Sequence, residues 1–253
     1  TIWRGVRLTG RATTSNCAFL LAQRCDSMHD TWRQSFLDYS RTDDHRAKLD
    51  EANAMIREAL SEHRCLVSYS GGKDSSAMLH LVLQHRPGIL VVHWDYGHGF
   101  MPRPIEDEII ANARKIGAKR LRIFTSEKYV EYHRPDFAVF AKEFIGRVVP
   151  RLKHLGYTCS FVGLRAEESC KRRRRIKQRE TIIMQECWPL ANWTWLDVWA
   201  YILKNDLPYL SHYDQMAELM GSYRDVRLCT LFDPQFAHLG SVDNFLYWRF
   251  RNA

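Results

Sequence analysis

The 253-residue chain has no uninterrupted run of 18 apolar residues, which excludes a transmembrane helix. Its hydrophobic and charged fractions, 45% and 26%, exclude wholesale disorder, a collagen-like repeat and a coiled coil. Its seven cysteines, at 17, 25, 65, 159, 170, 187 and 229, are odd in number and contain no Cys-x-x-Cys pair. That argues against a disulfide framework, a zinc ribbon and an ordinary iron–sulfur loop. Reduced thiols, without zinc or an iron–sulfur cluster, are expected. The opening Thr1-Ile2-Trp3-Arg4 lacks a charged start leading into an apolar run, so a cytoplasmic location away from membranes is expected. Acid is also in short supply: 29 Asp and Glu stand against 37 Lys and Arg, a net charge of +8. Such a surplus suggests polyanionic company: nucleotide, nucleic acid or both.

What is present alternates between strand and helix. Residues 1–46 read as an N-terminal extension, mostly irregular, with Trp3 and Trp32 as anchors. Leu49, Ala52, Ile56, Ala59 and Leu60 fall at helical spacing. Short apolar strands are expected over 64–69, 89–94, 120–124 and 159–163, with a fifth over Thr181–Met184. Helices are expected over 74–85, from Pro104 to about Lys115, and from Thr194 to about Lys204. Phe137, Phe140, Phe144, Val148, Leu152 and Leu155 mark one face of another, long helix. Alternation of this kind predicts an α/β fold, a parallel five-stranded sheet with helices on both faces. Ligands then bind beyond the carboxyl ends of the strands.

Beyond the first strand lies Ser70-Gly71-Gly72-Lys73-Asp74-Ser75-Ser76. Paired glycines let the backbone take positive φ and approach a ligand closely. The amides opening the next helix point at an anion, aided by the helix dipole. Lys73 adds a mobile positive charge, and Ser70, Ser75 and Ser76 add hydroxyls. Spacing excludes a Walker A loop.

Ser70–Ser75 resembles the pyrophosphate loop of the ATP pyrophosphatases that share the adenine nucleotide α-hydrolase fold. Gly163-Leu-Arg-Ala-Glu-Glu-Ser169, with Arg172 following, is similar to the second signature of the group of phosphoadenylyl-sulfate reductases and sulfate adenylyltransferase small subunits. Pro189–Trp199 is similar to the third, and His93-Trp94-Asp95 to the group's strand-end segment near the nucleotide. The resemblance covers roughly residues 47–215, with 216–253 as a tail packing on the core. It implies ATP as cofactor, with Mg²⁺, cleaved between the α and β phosphates to give pyrophosphate and an adenylylated acceptor. Reductases of the group carry a Glu-Cys-Gly-type motif near the C-terminus, where this chain has only Cys229 in Leu-Cys-Thr. Reductase chemistry is therefore not expected. The resemblance instead implies the cluster-free branch serving DNA phosphorothioation, whose partners would be DNA, a sulfur donor such as a cysteine desulfurase, and further modification proteins. The alternatives are a sulfate adenylyltransferase small subunit, which would need a GTPase partner, and an ATP-sensing module without turnover.

The candidate residues follow. Lys73 neutralises the leaving pyrophosphate. Asp74 is either a helix cap or an Mg²⁺ ligand. Asp95 either positions adenosine or Mg²⁺, or forms a turn before Gly97. Gly163 lies at a strand end. Arg165 and Arg172 grip the α-phosphate or an acceptor anion through planar forks, and Glu168 orients them or caps a helix. Trp193, Trp195 and Trp199 read as packing, Asp197 as a cap, and the histidines as structural or surface groups. Between Arg165 and Arg179, eight basic residues face two acidic ones.

Overall fold

The computed structural model describes residues 28–97, 101–126, 143–181 and 184–228. Five parallel strands form one sheet: β1 (Cys65–Tyr69), β2 (Leu90–Asp95), β3 (Arg120–Thr125), β4 (Cys159–Val162) and β5 (Gln185–Cys187). Their spatial order is β3-β2-β1-β4-β5. The helices are α1 (Asp30–Tyr39), α2 (Asp43–Glu62), α3 (Lys73–His85), α4 (Arg103–Ile116), α5 (Val149–His154), α6 (Cys170–Gln178), α7 (Trp195–Lys204) and α8 (His212–Met220). The expected α/β architecture is thus observed. Among the described residues no helix is long and apolar enough to cross a membrane.

Alternation along the strands divides the core. Cys65, Val67 and Tyr69 of β1 face one side, where α2, α3, α4 and α7 cover them with Ile56, Met78, Ile109 and Trp199. Leu66, Leu90 and Val92 face the other, against Val148, Val149 and Leu152. With both faces covered, β2 reads as the continuous apolar run Leu90-Val91-Val92. β3 lies at an edge and carries exposed Arg120 and Arg122, charges that discourage pairing with another sheet.

Three expectations need correction. The segment read as irregular contains α1, because Trp32 and Phe36 recur at helical spacing and Phe36 is fully buried against Trp195, Trp199 and Tyr223. Of the fifth strand expected over Thr181–Met184, residues 182 and 183 lie outside the described residues; the strand that pairs with Cys159–Phe161 is Gln185–Cys187. Its side chains are polar because Glu186 answers Arg175. The long helix expected from Phe137 begins outside the described residues. From Phe144 to Val148 it is a π-helical turn, with the Val149 amide donating to the Phe144 carbonyl. Pro150 explains this: it has no N–H for the i−4 carbonyl, and the ladder widens beside it.

One buried carboxylate ties the N-terminal helices to the sheet. Asp197, on α7, is fully buried. It closes a capping box with Thr194, accepting from that residue's amide (2.7 Å) and hydroxyl (2.6 Å). His45 Nδ1 lies 3.1 Å away, Lys48 Nζ 3.1 Å and the Tyr39 hydroxyl 3.2 Å. Burial alone would raise its pKa, but the hydrogen bonds from His45, Thr194 and Lys48 hold it well below the usual carboxylate range. A carboxyl depressed in this way stabilises the fold above its unfolded pKa near 4 and ceases to as pH falls toward its folded value. Asp197→Asn should therefore cost about 3 kcal/mol at neutral pH, the scale of a broken buried pair. In urea denaturation the gap to the natural chain should narrow below about pH 4; a pH-independent gap would refute the carboxylate's role.

Candidate active site

The strand order reverses between β1 and β4: β2 and β3 extend to one side of β1, β4 and β5 to the other. Diverging connections leave a crevice beyond the carboxyl ends at such a point. A cleft of roughly 400 Å³ opens there, floored by Ser70, Gly72 to Ser75 and Gly163.

The β1–α3 loop is held by its own hydroxyls. The Ser75 hydroxyl donates to the Gly72 carbonyl (2.9 Å) and accepts from the Ser70 amide (3.3 Å). Gly72, the N-cap of α3, has no side chain to cap the helix; the Lys73 amide donates to the Tyr213 hydroxyl (3.2 Å), which leaves the Asp74 and Ser75 amides of the first turn to an anion. Gly71 has φ +82°, and a Cβ there would come within 2.5 Å of Ile109 Cγ1. Gly163 faces the loop from β4, where a Cβ would lie 3.0 Å from the Ser75 nitrogen. Both glycines are thus required by contact, and Gly71 also by backbone conformation.

Lys73 is 3% exposed. Its ammonium donates to the Val226 carbonyl (2.9 Å), lies 5.5 Å from the centre of the Tyr213 ring and 3.7 Å from Asp74. Burial outweighs Asp74 and holds the lysine below its ordinary pKa. For Asp74, burial is opposed by Arg165 and Lys73, and the carboxyl falls to about 2. Arg165 donates from Nε to Asp74 and from Nη1 to Glu167 (2.7 Å).

The opposite wall is cationic. Arg172 pairs with Glu168, Arg175 with Glu186, and Arg227 reaches the Glu168 backbone carbonyl at 3.3 Å. His93 and Glu106 form a buried pair at the edge of the cleft, with Nε2 2.6 Å from the Glu106 carboxyl and Nδ1 2.8 Å from the Tyr69 carbonyl. Trp94 Nε1 is buried and finds no hydrogen-bond partner among the described residues.

Of the candidates read from sequence, Ser70, Gly72, Lys73, Asp74, Ser75, Gly163, Glu168 and Arg172 line the cleft. Gly71, Ser76, Asp95 and Arg165 do not. Gly71 packs on Ile109, and Ser76 is buried with its hydroxyl 3.5 Å from that of Tyr69. Asp95 takes the turn role: it accepts from the Gly97 amide (2.8 Å) and both forks of Arg103 (2.8 and 2.9 Å). Arg165, 3% exposed, orients Asp74 and Glu167 from behind and does not present its fork to the cleft. Sequence reasoning missed Tyr213, Arg227, Arg175 and the His93–Glu106 pair. Two carried a signal: Arg175, three residues beyond Arg172 on the same helix face, and His93, in the strand-end segment beside Asp95.

The family described as phosphoadenosine phosphosulfate reductase domain matches residues 64–244. The chain belongs to this family. Its members similar to it include an adenosine 5'-phosphosulfate reductase of Bacillus cereus, 26% identical over 72% of this chain and 80% of that protein. A sulfate adenylyltransferase subunit 2 of Mycobacterium tuberculosis is 30% identical over 60% of this chain and 59% of its own length. A phosphoadenosine 5'-phosphosulfate reductase of Xanthomonas axonopodis is 26% identical over 71% and 83%. The family match begins one residue before β1 and runs beyond Arg227, so it includes every cleft-lining residue named above.

Two stability experiments test the loop. Gly71→Ala should cost about 2–4 kcal/mol from left-handed strain and overpacking. It should cost less in an Ile109→Ala background; strict additivity would refute the contact. Lys73→Met should change stability by no more than about 1 kcal/mol, because a desolvated ammonium is lost while Asp74 keeps Arg165. A drop of several kcal/mol would show the ammonium to be a structural support.

Proposed function

We propose that this chain is an ATP pyrophosphatase, cleaving ATP between the α and β phosphates and transferring AMP to an acceptor. The observation that carries the reading is the β1–α3 loop: the Asp74 and Ser75 amides of the first helical turn, two serine hydroxyls and a buried lysine meet at the topological switch point. An acceptor oxygen attacks the α-phosphorus, the bond from that phosphorus to the bridging oxygen breaks, and pyrophosphate leaves with the electron pair. The loop amides and Lys73 stabilise the charge that grows on the departing group. Arg172, Arg175 and Arg227, across the cleft, hold the α-phosphate and the acceptor anion. This arrangement favours turnover over an ATP-sensing module.

Magnesium is proposed to arrive with the nucleotide. Asp74, Glu106, Glu168 and Glu186 line the cleft, and each already faces a cation or a histidine. That donor set is a poor dedicated cage for Mg²⁺, which is commonly held by phosphate oxygens and water.

For the acceptor we propose the backbone phosphate of DNA, activated ahead of sulfur insertion, with sulfur from a donor such as a cysteine desulfurase. The basic excess beside the cleft supports this. The similarity to a sulfate adenylyltransferase subunit supports a second reading, in which sulfate is the acceptor. Both readings place the protein in the cytoplasm.

Chromatography of the products from α- and γ-labelled ATP tests the reaction. AMP and pyrophosphate are expected, with magnesium required; ADP and orthophosphate as main products would sink the proposal. Lys73→Ala should lose about 2–4 kcal/mol of transition-state stabilisation, and normal turnover by that variant would exclude the loop as the site. Formation of adenylyl sulfate on adding sulfate, with no adenylylated DNA on adding DNA, would establish the second reading.

A further inference from the structure

Helix α6 carries two rows of cations facing different ways. Arg172 and Arg175, three residues apart, turn inward, line the cleft and pair with Glu168 and Glu186. Arg173, Arg174 and Lys177 turn outward as a row; Lys171 and the C-cap residue Arg179 are exposed as well, which makes five. None of the five forms an ion pair with a carboxylate among the described residues.

Nothing among the described residues accounts for the outer row. The first turn of α6 holds Lys171, Arg172 and Arg173 and no acid, opposite to what the helix dipole favours. Arg173 and Lys177, four apart, repel, as do Lys171 and Arg174, three apart. The helix has no fully buried residue; Ile176 packs on the small cluster around Leu164 and Trp188, and the Arg175 guanidinium lies over the Trp188 ring. Solvation or internal pairing could be served by any polar residues. Arg173, Arg174 and Lys177 project within about 100° of one another, a row suited to an external chain of regularly spaced negative charges.

We propose that the outer row of α6 binds the sugar–phosphate backbone of a single-stranded nucleic acid, leading one phosphodiester over the ridge to the inner row of Arg172 and Arg175. This rests on the reading of the cleft as the adenylylation site with a DNA acceptor. The helix is about 13 Å long, enough for a few consecutive phosphates to pass along it. A duplex is stiff over about 150 base pairs, so drawing one phosphodiester off a short ridge into a concave cleft costs it deformation energy that a flexible unpaired strand does not incur.

The test is fluorescence anisotropy of a labelled, mixed-sequence single-stranded DNA oligonucleotide with the full chain, without ATP, between about 50 and 200 mM salt. Log affinity should fall against log salt with a slope of about −2 to −3, three or four phosphates at roughly −0.7 each. Arg173→Ala, Arg174→Ala and Lys177→Ala together should flatten that slope by about 2 and weaken binding at least about tenfold at the lower salt. The same triple variant should hydrolyse ATP to AMP and pyrophosphate without nucleic acid, water taking the acceptor's place at the α-phosphorus, as the natural chain does, showing the fold and cleft intact. Arg114→Ala with Lys115→Ala, on the exposed end of α4, should leave the slope unchanged. No salt-sensitive binding by the natural chain, or an unchanged slope in the triple variant, would overturn the proposal. So would duplex binding as tight as strand binding, or equal competition by polyglutamate or phosphatidylserine vesicles at matched charge. Because binding is read without ATP, its failure is distinct from failure of the pyrophosphatase reading, which shows in the products alone.

Discussion

A lysine ammonium sealed from water at the foot of a cleft must be compensated, and much of the site is arranged around that need. Lys73 is balanced by one neutral carbonyl, one aromatic face and a carboxylate that Arg165 already holds. The balance leaves positive charge in excess at the loop. The Asp74 and Ser75 amides opening α3 add to it, as do the arginines opposite. A pocket built in this way is stable as protein and still short of negative charge, the condition under which a polyphosphate binds strongly. Close packing makes the loop possible: Gly71 sits against Ile109 and Gly163 against the start of α3, so loop and neighbouring strand approach to within backbone distance.

The fold was legible because parallel strands buried on both faces must be short and apolar and must alternate with helices. Leu90-Val91-Val92 and Ser70–Ser75 therefore announced a strand and the loop after another. The misreadings have equally physical causes. β5 is three residues long and polar, since Glu186 answers Arg175 across a helix, and no strand periodicity survives such a pairing. Pro150 altered a helix that hydrophobic spacing alone presents as regular.

The site was legible to the extent that its residues are neighbours in sequence. Ser70 to Ser75 and Gly163 to Arg172 could be read as two blocks. Within the blocks, proximity did not settle which way a side chain points: Arg165 turns behind Asp74 while Arg172 turns to the cleft. Tyr213 and Arg227 reach the site from far along the chain, and no local pattern marks a residue whose role arises only on folding.

The contact between Lys73 and the Val226 carbonyl spans 153 residues of sequence. A ribosome releases the loop long before it releases the segment that covers the loop's charge. A closing contact of that separation carries a late loop-closure cost, so the cleft is among the last parts of the molecule to take shape. Until then the nascent chain holds a sheet whose most anion-hungry group stands open to the cell.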